Sequence, residues 1–333
     1  MSPFIVAELS CNHLGSLERA LAIMDAAADA GADAVKLQWW SANTMAGNRH
    51  IEIKSGPWAG RKMADLYHEA WTPWLWYGIL WRRARELGIE LFAAAFDLTA
   101  LDYLQANGVR RHKIASFELV DDELVAAAAK TGKPLILSTG MATFDEIRHA
   151  VLVAEEAGLR AMRSLTLLRC VSAYPAAPRD AGLGTMEFLR SYFSCKVGLS
   201  DHTLGTAVSV AAVARGATMI EKHLTIKRSD GGPDAAFSLE PDEFRTLVAD
   251  CRAAFEACGE TTLGPNDDEL PQLALRRSLW WAMDVSRGTQ IQREMVRSAR
   301  PADGLPCYRL PGLLQSRTRR SVTAGDPVME EDG

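Results

Sequence analysis

Short, continuous apolar runs alternate with longer amphipathic stretches over most of the chain. Eight of the runs read as strands: FIVAELS (4–10), AVKLQWW (34–40), ELFAAAF (90–96), RHKIAS (111–116), PLILSTG (134–140), SLTLLRCVS (164–172), KVGLSDH (196–202) and MIEKHLT (219–225). Runs that are apolar throughout, rather than alternating, suit parallel strands covered on both faces. A helical pattern follows nearly every one. SLERALAIMDAAADAG (16–31) spaces its apolar residues for a helix and stops at Gly31. DDELVAAAAKTG (121–132) opens on acids and stops at Gly132, and TFDEIRHAVLVAEEAG (143–158) opens with Thr143 and Glu146, a capping box. Eight βα units in about 250 residues predict a TIM (β/α)8 barrel over residues 1–260.

Two segments depart from that rhythm. Residues 41–73 are too long for a plain βα connection, and long loops at the catalytic face of a barrel are commonly functional. Residues 261–275, TTLGPNDDELPQLAL, are polar and carry prolines, as a linker does. Beyond them, RRSLWWAMDVSRGTQI and RSVTAGDPV resemble short strands around glycine turns. Residues 276–333 are therefore expected to form a small β-rich module, marginal alone and predicted to dock on something.

The composition is that of an ordinary soluble globular protein: 333 residues, 48% hydrophobic and 24% charged, enough for one large and one small domain. The net charge of −5, with RTRR (317–320) as the densest basic run, argues against nucleic acid or a membrane surface as partner. No apolar run reaches the roughly 18 residues of a membrane span. The N-terminus runs into a strand without a charged leader, so a cytoplasmic location is expected. The six cysteines, Cys11, Cys170, Cys195, Cys251, Cys258 and Cys307, form no CxxC pair or zinc-like spacing and are expected to be free thiols.

Polar residues concentrate where the apolar runs end, the place where barrels carry chemistry. The first strand ends near Glu8, Asn12 and His13; the second carries Lys36 and Gln38; the fourth gives Lys113, Ser116 and Glu118. The fifth gives Ser138 and Thr139, the sixth Ser172 and Tyr174, the seventh Ser200, Asp201 and His202, and the eighth Glu221, Lys222 and His223. Two imidazoles from adjacent strands, His202 and His223, can bind one divalent metal and leave positions open for water and substrate. Lys36 and Lys113 lie inside apolar strands, and lysines are rarely buried without a partner. With Ser116, Ser138 and Ser200 around one mouth they would make an anion pocket for a phosphorylated, carboxylated small molecule.

Taken together, IVAELSCNHLGS, GADAVKLQ, KIASFEL, GKPLILSTGM, GLSDHTLG, IEKHLT and GGPDAAFSLEP resemble the sialic acid synthase family, and RRSLWWAMDVSRGTQI with SARPADG looks like the antifreeze-like (SAF) domain that follows its TIM barrel. The stretches SGPWAGRKMADLYHEAWTPW, KIASFELVD, SAYPAAP and RSDGGPDAAFSLEP are most similar to the pseudaminic acid branch. The resemblance implies condensation of phosphoenolpyruvate (PEP) with an open-chain 2,4-diacetamido-2,4,6-trideoxy-altrose, giving a nine-carbon keto acid and phosphate with Mn²⁺, Mg²⁺ or Co²⁺. It implies that His202 and His223 hold the metal. Lys36, Lys113, Ser116, Ser138, Ser172 and Ser200 would bind PEP, and Glu8, Glu221, Glu118 and Asp201 are the candidate acid–base carboxylates.

The same resemblance puts Glu118, Tyr174 and Asp234 on the sugar side. It gives Arg300 the task of reaching a neighbouring subunit's site in a domain-swapped homodimer. Three positions depart from the family pattern: Ala94 replaces a hydroxyl expected on PEP, Val171 stands where threonine is frequent, and Leu14 interrupts the usual NHNGS. Two other readings stay open. One is a sialic or legionaminic type of condensation with a different amino sugar. The other is a non-catalytic barrel that binds such sugars, against which the intact set Glu8, Glu221, His202 and His223 speaks.

Overall fold

A computed structural model describes residues 2–40, 44–48, 50–159 and 162–333. Eight parallel strands close a barrel in chain order: β1 (Phe4–Glu8), β2 (Ala34–Trp39), β3 (Glu90–Ala95), β4 (His112–Ile114), β5 (Leu135–Ser138), β6 (Leu165–Cys170), β7 (Lys196–Asp201) and β8 (Met219–His223), which pairs back onto β1. The expected barrel forms. Its strands are shorter than the apolar runs at their C-terminal ends, because the chain leaves the ladder there to reach the outer helices. Gly140, Ser172 and His202 thus lie just past the last paired residue.

Alternation along the strands explains why the runs are apolar throughout. One set, including Ile5, Val35, Leu37, Ala93, Leu137 and Leu167, packs outward under the helices. The other set faces the barrel axis, where Val6, Ala34, Phe92, Ile136, Leu168 and Met219 form an apolar plug. Gly198 of β7 completes the plug's wall, since a Cβ there would come within 2.4 Å of the Met219 carbonyl oxygen. Two residues further along the same strands, the axis-facing positions are Glu8, Lys36, Ala94, Ser138, Cys170 and Glu221. The floor of the barrel mouth is therefore polar because the periodicity that buries the plug also aims these side chains inward.

The helices start where capping chemistry allows. The hydroxyl of Ser16 accepts from Arg19 N at the head of α1 (Leu17–Asp29), and the Asp121 carboxylate accepts from Leu124 N before α5 (Asp122–Lys130). The capping box of Thr143 and Glu146 opens α6 (Phe144–Glu156). The others before residue 260 are α2 (Met63–Ala70), α3 (Tyr77–Leu87), α4 (Leu98–Ala106), α7 (Gly184–Phe193), α8 (Ala207–Ala214) and α9 (Pro241–Cys258). Among the described residues, no helix is long and apolar enough to cross a membrane.

The chain divides into compact units at 1–259 and 260–333. The second has its own core of Leu279, Trp281, Ile291, Val296 and Val328 around the antiparallel pair β9 (Ser278–Trp281) and β10 (Val296–Ala299). The stretch expected to be a plain linker carries a 3₁₀ turn at Leu270–Leu275, and Ala302 N donates to the Ala274 carbonyl. That part of the connection is built into the second unit.

Candidate active site

The mouth of the barrel holds a cavity of ≈ 770 Å³. Its floor is the polar layer just described. One wall comes from the long segment after β2, of which residues 41–43 and 49 lie outside the described residues. Glu52 bridges Lys62 in a hairpin whose tip presents Pro57 and Trp58 to the cavity. The Trp58 indole donates to the Pro233 carbonyl at 3.1 Å and packs on Tyr174, ring centroids 5.3 Å apart. Trp71 and Trp74, further along the same segment, do not line the cavity. Both indoles donate to the Trp40 carbonyl, at 3.1 and 3.0 Å, because a loop this long needs its own aromatic anchor.

Lys36 is the centre of the floor. Its ammonium lies 2.7 Å from Glu8 Oε2 and 3.6 Å from Glu221 Oε1, all three groups being almost completely buried. Ser200 donates to the same Glu221 oxygen at 3.0 Å. Burial, followed by the Glu221 charge, pushes Glu8 up to about 7 against the pull of Lys36. Burial also acts on Glu221, but Lys36, Lys113 and the Ser200 hydrogen bond outweigh it and hold that carboxyl below its ordinary value. Two carboxylates sharing one cation are thereby pushed apart, an arrangement suited to one donating and one accepting a proton at neutral pH. Neither Glu8 oxygen, nor Glu221 Oε2, has a further hydrogen-bond partner among the described residues.

Lys113, next along the floor, donates to Ser138 Oγ at 2.7 Å and to the Ile114 carbonyl at 2.9 Å. Burial pulls its ammonium down to about 8 against the charge of Glu221. Ser116 and Ser172 converge beside it over Gly140. A Cβ on Gly140 would come within 2.3 Å of Ser172 Oγ and 2.8 Å of Ser116 Oγ, and Gly140 N donates to Ser116 at 3.1 Å. Gly140 is the element of this cradle that the sequence did not single out; its signal was only a glycine directly after Ser138 and Thr139. Ala94 sits in the ladder beside Lys113 and adds no polar atom.

His202 and His223 face each other above the floor, ring centroids 5.4 Å apart. His202 Nδ1 lies 2.9 Å from the Val171 carbonyl, which can only accept, so Nδ1 carries a proton and Nε2 is the nitrogen left for a metal. Against burial, Cys170 and that carbonyl raise the ring above its ordinary value, so a metal would bind there in competition with a proton. Burial, then the neighbouring His202, holds His223 well below the ordinary imidazole range, leaving it neutral as a metal ligand must be. Its buried Nδ1 has no hydrogen-bond partner, and Asp234 Oδ2 is 3.6 Å away. Among the described residues no set of three His, Cys, Asp or Glu closes on one point. The two rings offer two nitrogen donors. That donor set fits a catalytic divalent cation, whose site keeps open positions.

Of the remaining candidates, Glu118, Tyr174 and Asp234 line the cavity. Burial raises Glu118 to about 7, and its buried Oε2 is without a partner. Asp234 is held through Ser10, whose hydroxyl donates to it, and burial raises its carboxyl. Asp201 is a correction. It does not line the cavity, because its position on β7 is one residue out of phase with Ser200 and His202, so it points behind the wall to Lys222 at 2.9 Å. Arg300 directly follows β10 in the second unit. Cys170 Sγ, 3.8 Å from both Ser172 Oγ and His202 Nδ1, and the apolar wall of Ile53, Met63, Leu66, Tyr67 and Phe96 were not anticipated.

Residues 23–262 match the NeuB family. The chain is 38% identical over 332 residues to the pseudaminic acid synthase of Campylobacter jejuni subsp. jejuni, spanning 99% of this chain and 96% of that protein. It is 36% identical over 343 residues to the N,N'-diacetyllegionaminic acid synthase of Legionella pneumophila subsp. pneumophila, spanning 99% and 94%. Among solved structures, the N-acetylneuraminic acid synthetase of Leptospira borgpetersenii serovar Hardjo-bovis, in complex with citrate, matches with a TM-score of 0.73 and 33% identity over 82% of this chain and 90% of that one.

Proposed function

The chain belongs to the NeuB family, and from that premise we propose that it condenses PEP with an open-chain 2,4-diacetamido-2,4,6-trideoxy-altrose, forming pseudaminic acid and phosphate. It is an enzyme of the PEP-dependent sugar-acid synthase type. The observation that carries the reaction is the single buried floor on which Lys36, flanked by Glu8 and Glu221, adjoins Lys113 and Ser138 beneath two neighbouring imidazoles.

Lys36, Lys113 and the serines 116, 138, 172 and 200 hold the carboxylate and phosphate of PEP, charge-assisted donors being the strong ones for such oxygens. Bound there, PEP directs C3 at the sugar aldehyde, and a new carbon–carbon bond forms as positive charge develops at C2. Glu8 gives a proton to the former aldehyde oxygen. Glu221 takes one from the water that adds to C2, and the tetrahedral adduct then expels phosphate to leave the ketone. His202 and His223 would hold a divalent cation, Mn²⁺ or alternatively Mg²⁺ or Co²⁺. Such a cation supplies Lewis acidity to the aldehyde oxygen.

Because burial sets Lys113 to about 8 in the free enzyme, kcat/KM for PEP is expected to fall as pH rises through that value. Deprotonation removes a cation from the anion pocket, so the limb is descending on the alkaline side. Lys113→Arg should move the limb to higher pH. A flat alkaline profile with the wild-type enzyme would remove Lys113 from PEP binding.

The apolar wall of Ile53, Pro57, Trp58, Met63, Tyr67 and Phe96 supports a 6-deoxy sugar, because a methyl is better placed there than a hydroxymethyl. The 6-deoxy diacetamido altrose is expected to exceed N-acetylmannosamine by at least about tenfold in kcat/KM, roughly 1.4 kcal/mol of transition-state binding. Equal values would refute the acceptor. The Legionella relative favours a second acceptor, the legionaminic type of diacetamido sugar, and its precursor belongs in the same panel.

The second unit takes the role of an SAF domain in a homodimer, with Arg300 binding the sugar's N-acyl group across the subunit boundary. Mixing inactive Arg300→Ala and His202→Ala chains, with subunit exchange, should restore about a quarter of wild-type activity, since about half the dimers are mixed and each holds one intact site. Persistent inactivity after proven exchange would rule out the arrangement across the subunit boundary.

A further inference from the structure

We propose that the buried ion pair of Asp201 and Lys222 is a positioning device that sets His202 and His223 at the spacing a divalent cation needs. This inference rests on the metal reading of those histidines given above.

The pair lies behind the barrel wall, between β7 and β8, whose ladder pairs Asp201 with Lys222 directly. Lys222 Nζ is 2.9 Å from Asp201 Oδ2, and both side chains are essentially without exposure. Every acceptor direction of the carboxylate is used. Oδ1 accepts from Thr203 N and Thr203 Oγ1, both at 2.8 Å, and Oδ2 also accepts from Ser209 Oγ of α8 at 2.6 Å. Lys222 donates a second bond to the Thr203 carbonyl. Three elements, the end of β7, the end of β8 and α8, are thus tied at one point.

That point is one residue from each histidine. Strand alternation turns Asp201 and Lys222 away from the axis and turns His202 and His223 toward it. On the axis side, one residue earlier on each strand, Ser200 and Glu221 are joined by the 3.0 Å hydrogen bond. The backbone of the two histidines is pinned further: the His202 carbonyl accepts from Ala176 N and the His223 carbonyl from Leu239 N, each at 2.9 Å. Beyond the regular ladder, the ion pair is the link between these two strands on the outer side, as the Ser200–Glu221 bond is on the axis side.

Stability alone is a poor reason for this pair. Removing two charges from water is costly, and replacing a buried ion pair by apolar groups of similar volume is often neutral or stabilising. A saturated, directional cross-link offers what an apolar pair lacks, a fixed distance between two backbones. Partners that orient metal ligands typically change metal affinity by about 10–100-fold when altered.

The test compares wild type with the double variant Asp201→Asn/Lys222→Met, which removes both charges together and leaves neither unpaired. Mn²⁺ binding is measured by the free-ion paramagnetic resonance signal, and thermal unfolding is followed in chelator. The double variant is expected to keep its unfolding temperature while Mn²⁺ affinity falls by about 10–100-fold. Turnover should need correspondingly more Mn²⁺ and recover as Mn²⁺ is raised. Ser209→Ala, which removes one neutral donor from the same carboxylate, is expected to shift affinity the same way by less, and it provides the test if the double variant does not fold. Unchanged Mn²⁺ affinity in a folded variant would overturn the proposal. Wild type binding Mn²⁺ no better than His202→Ala would instead overturn the metal reading, and the proposal with it.

Discussion

His202→Ala and His223→Ala are each expected to lower kcat/KM by at least about 10³-fold, the equivalent of roughly 4 kcal/mol of lost transition-state stabilisation. The two rings are 5.4 Å apart, on neighbouring strands, with one nitrogen freed by the Val171 carbonyl and one ring held neutral by burial. Neither change opens the apolar plug or the helix layer, so circular dichroism should report an intact barrel. Chelation of the wild-type enzyme should have the same effect. Adding back Mn²⁺, Mg²⁺ or Co²⁺ should restore wild type but neither variant. Full turnover after exhaustive chelation would sink the metal reading while leaving the anion pocket standing.

Lys36→Met should have an effect of similar size for a different reason. The variant keeps the length of the side chain but leaves Glu8 and Glu221 buried together without their cation. Breaking a buried pair by removing one partner costs about 3–5 kcal/mol of stability, a large share of the roughly 5–15 kcal/mol a domain has. Activity should fall by about 10²–10³-fold or more, as when one preorganised donor is removed. Glu8→Gln separates the two effects: Lys36 keeps Glu221, so unfolding should change little while turnover falls. Wild-type turnover in Glu8→Gln would remove Glu8 from proton transfer.

Much of the fold was legible in the sequence. Strands buried on both faces must be continuously apolar, and helix heads need capping groups such as Ser16, Asp121 and Thr143. The site was legible only as far as strand ends could be found. A strand end gives a neighbourhood; alternation gives the side, and that phase depends on where the ladder begins. Ser200, Asp201 and His202 look alike as a polar cluster, yet only the first and third face the cavity. Gly140 carries no side-chain signal, because its contribution is the absence of a Cβ between two serines. The residue pattern does not sort the tryptophans after β2 into those that meet the cavity and those that do not. Which of them anchor the loop is decided by the Trp40 carbonyl, a backbone atom that no residue pattern displays.

The central claim is that the polar floor of the barrel joins PEP to an amino-sugar aldehyde. The most direct measurement is phosphate release from PEP in the presence of 2,4-diacetamido-2,4,6-trideoxy-altrose and Mn²⁺, with the sugar product identified by mass. The account predicts one phosphate for each nine-carbon keto acid formed, and no release without the sugar. No phosphate with this sugar, with its legionaminic-type isomer or with N-acetylmannosamine would contradict it.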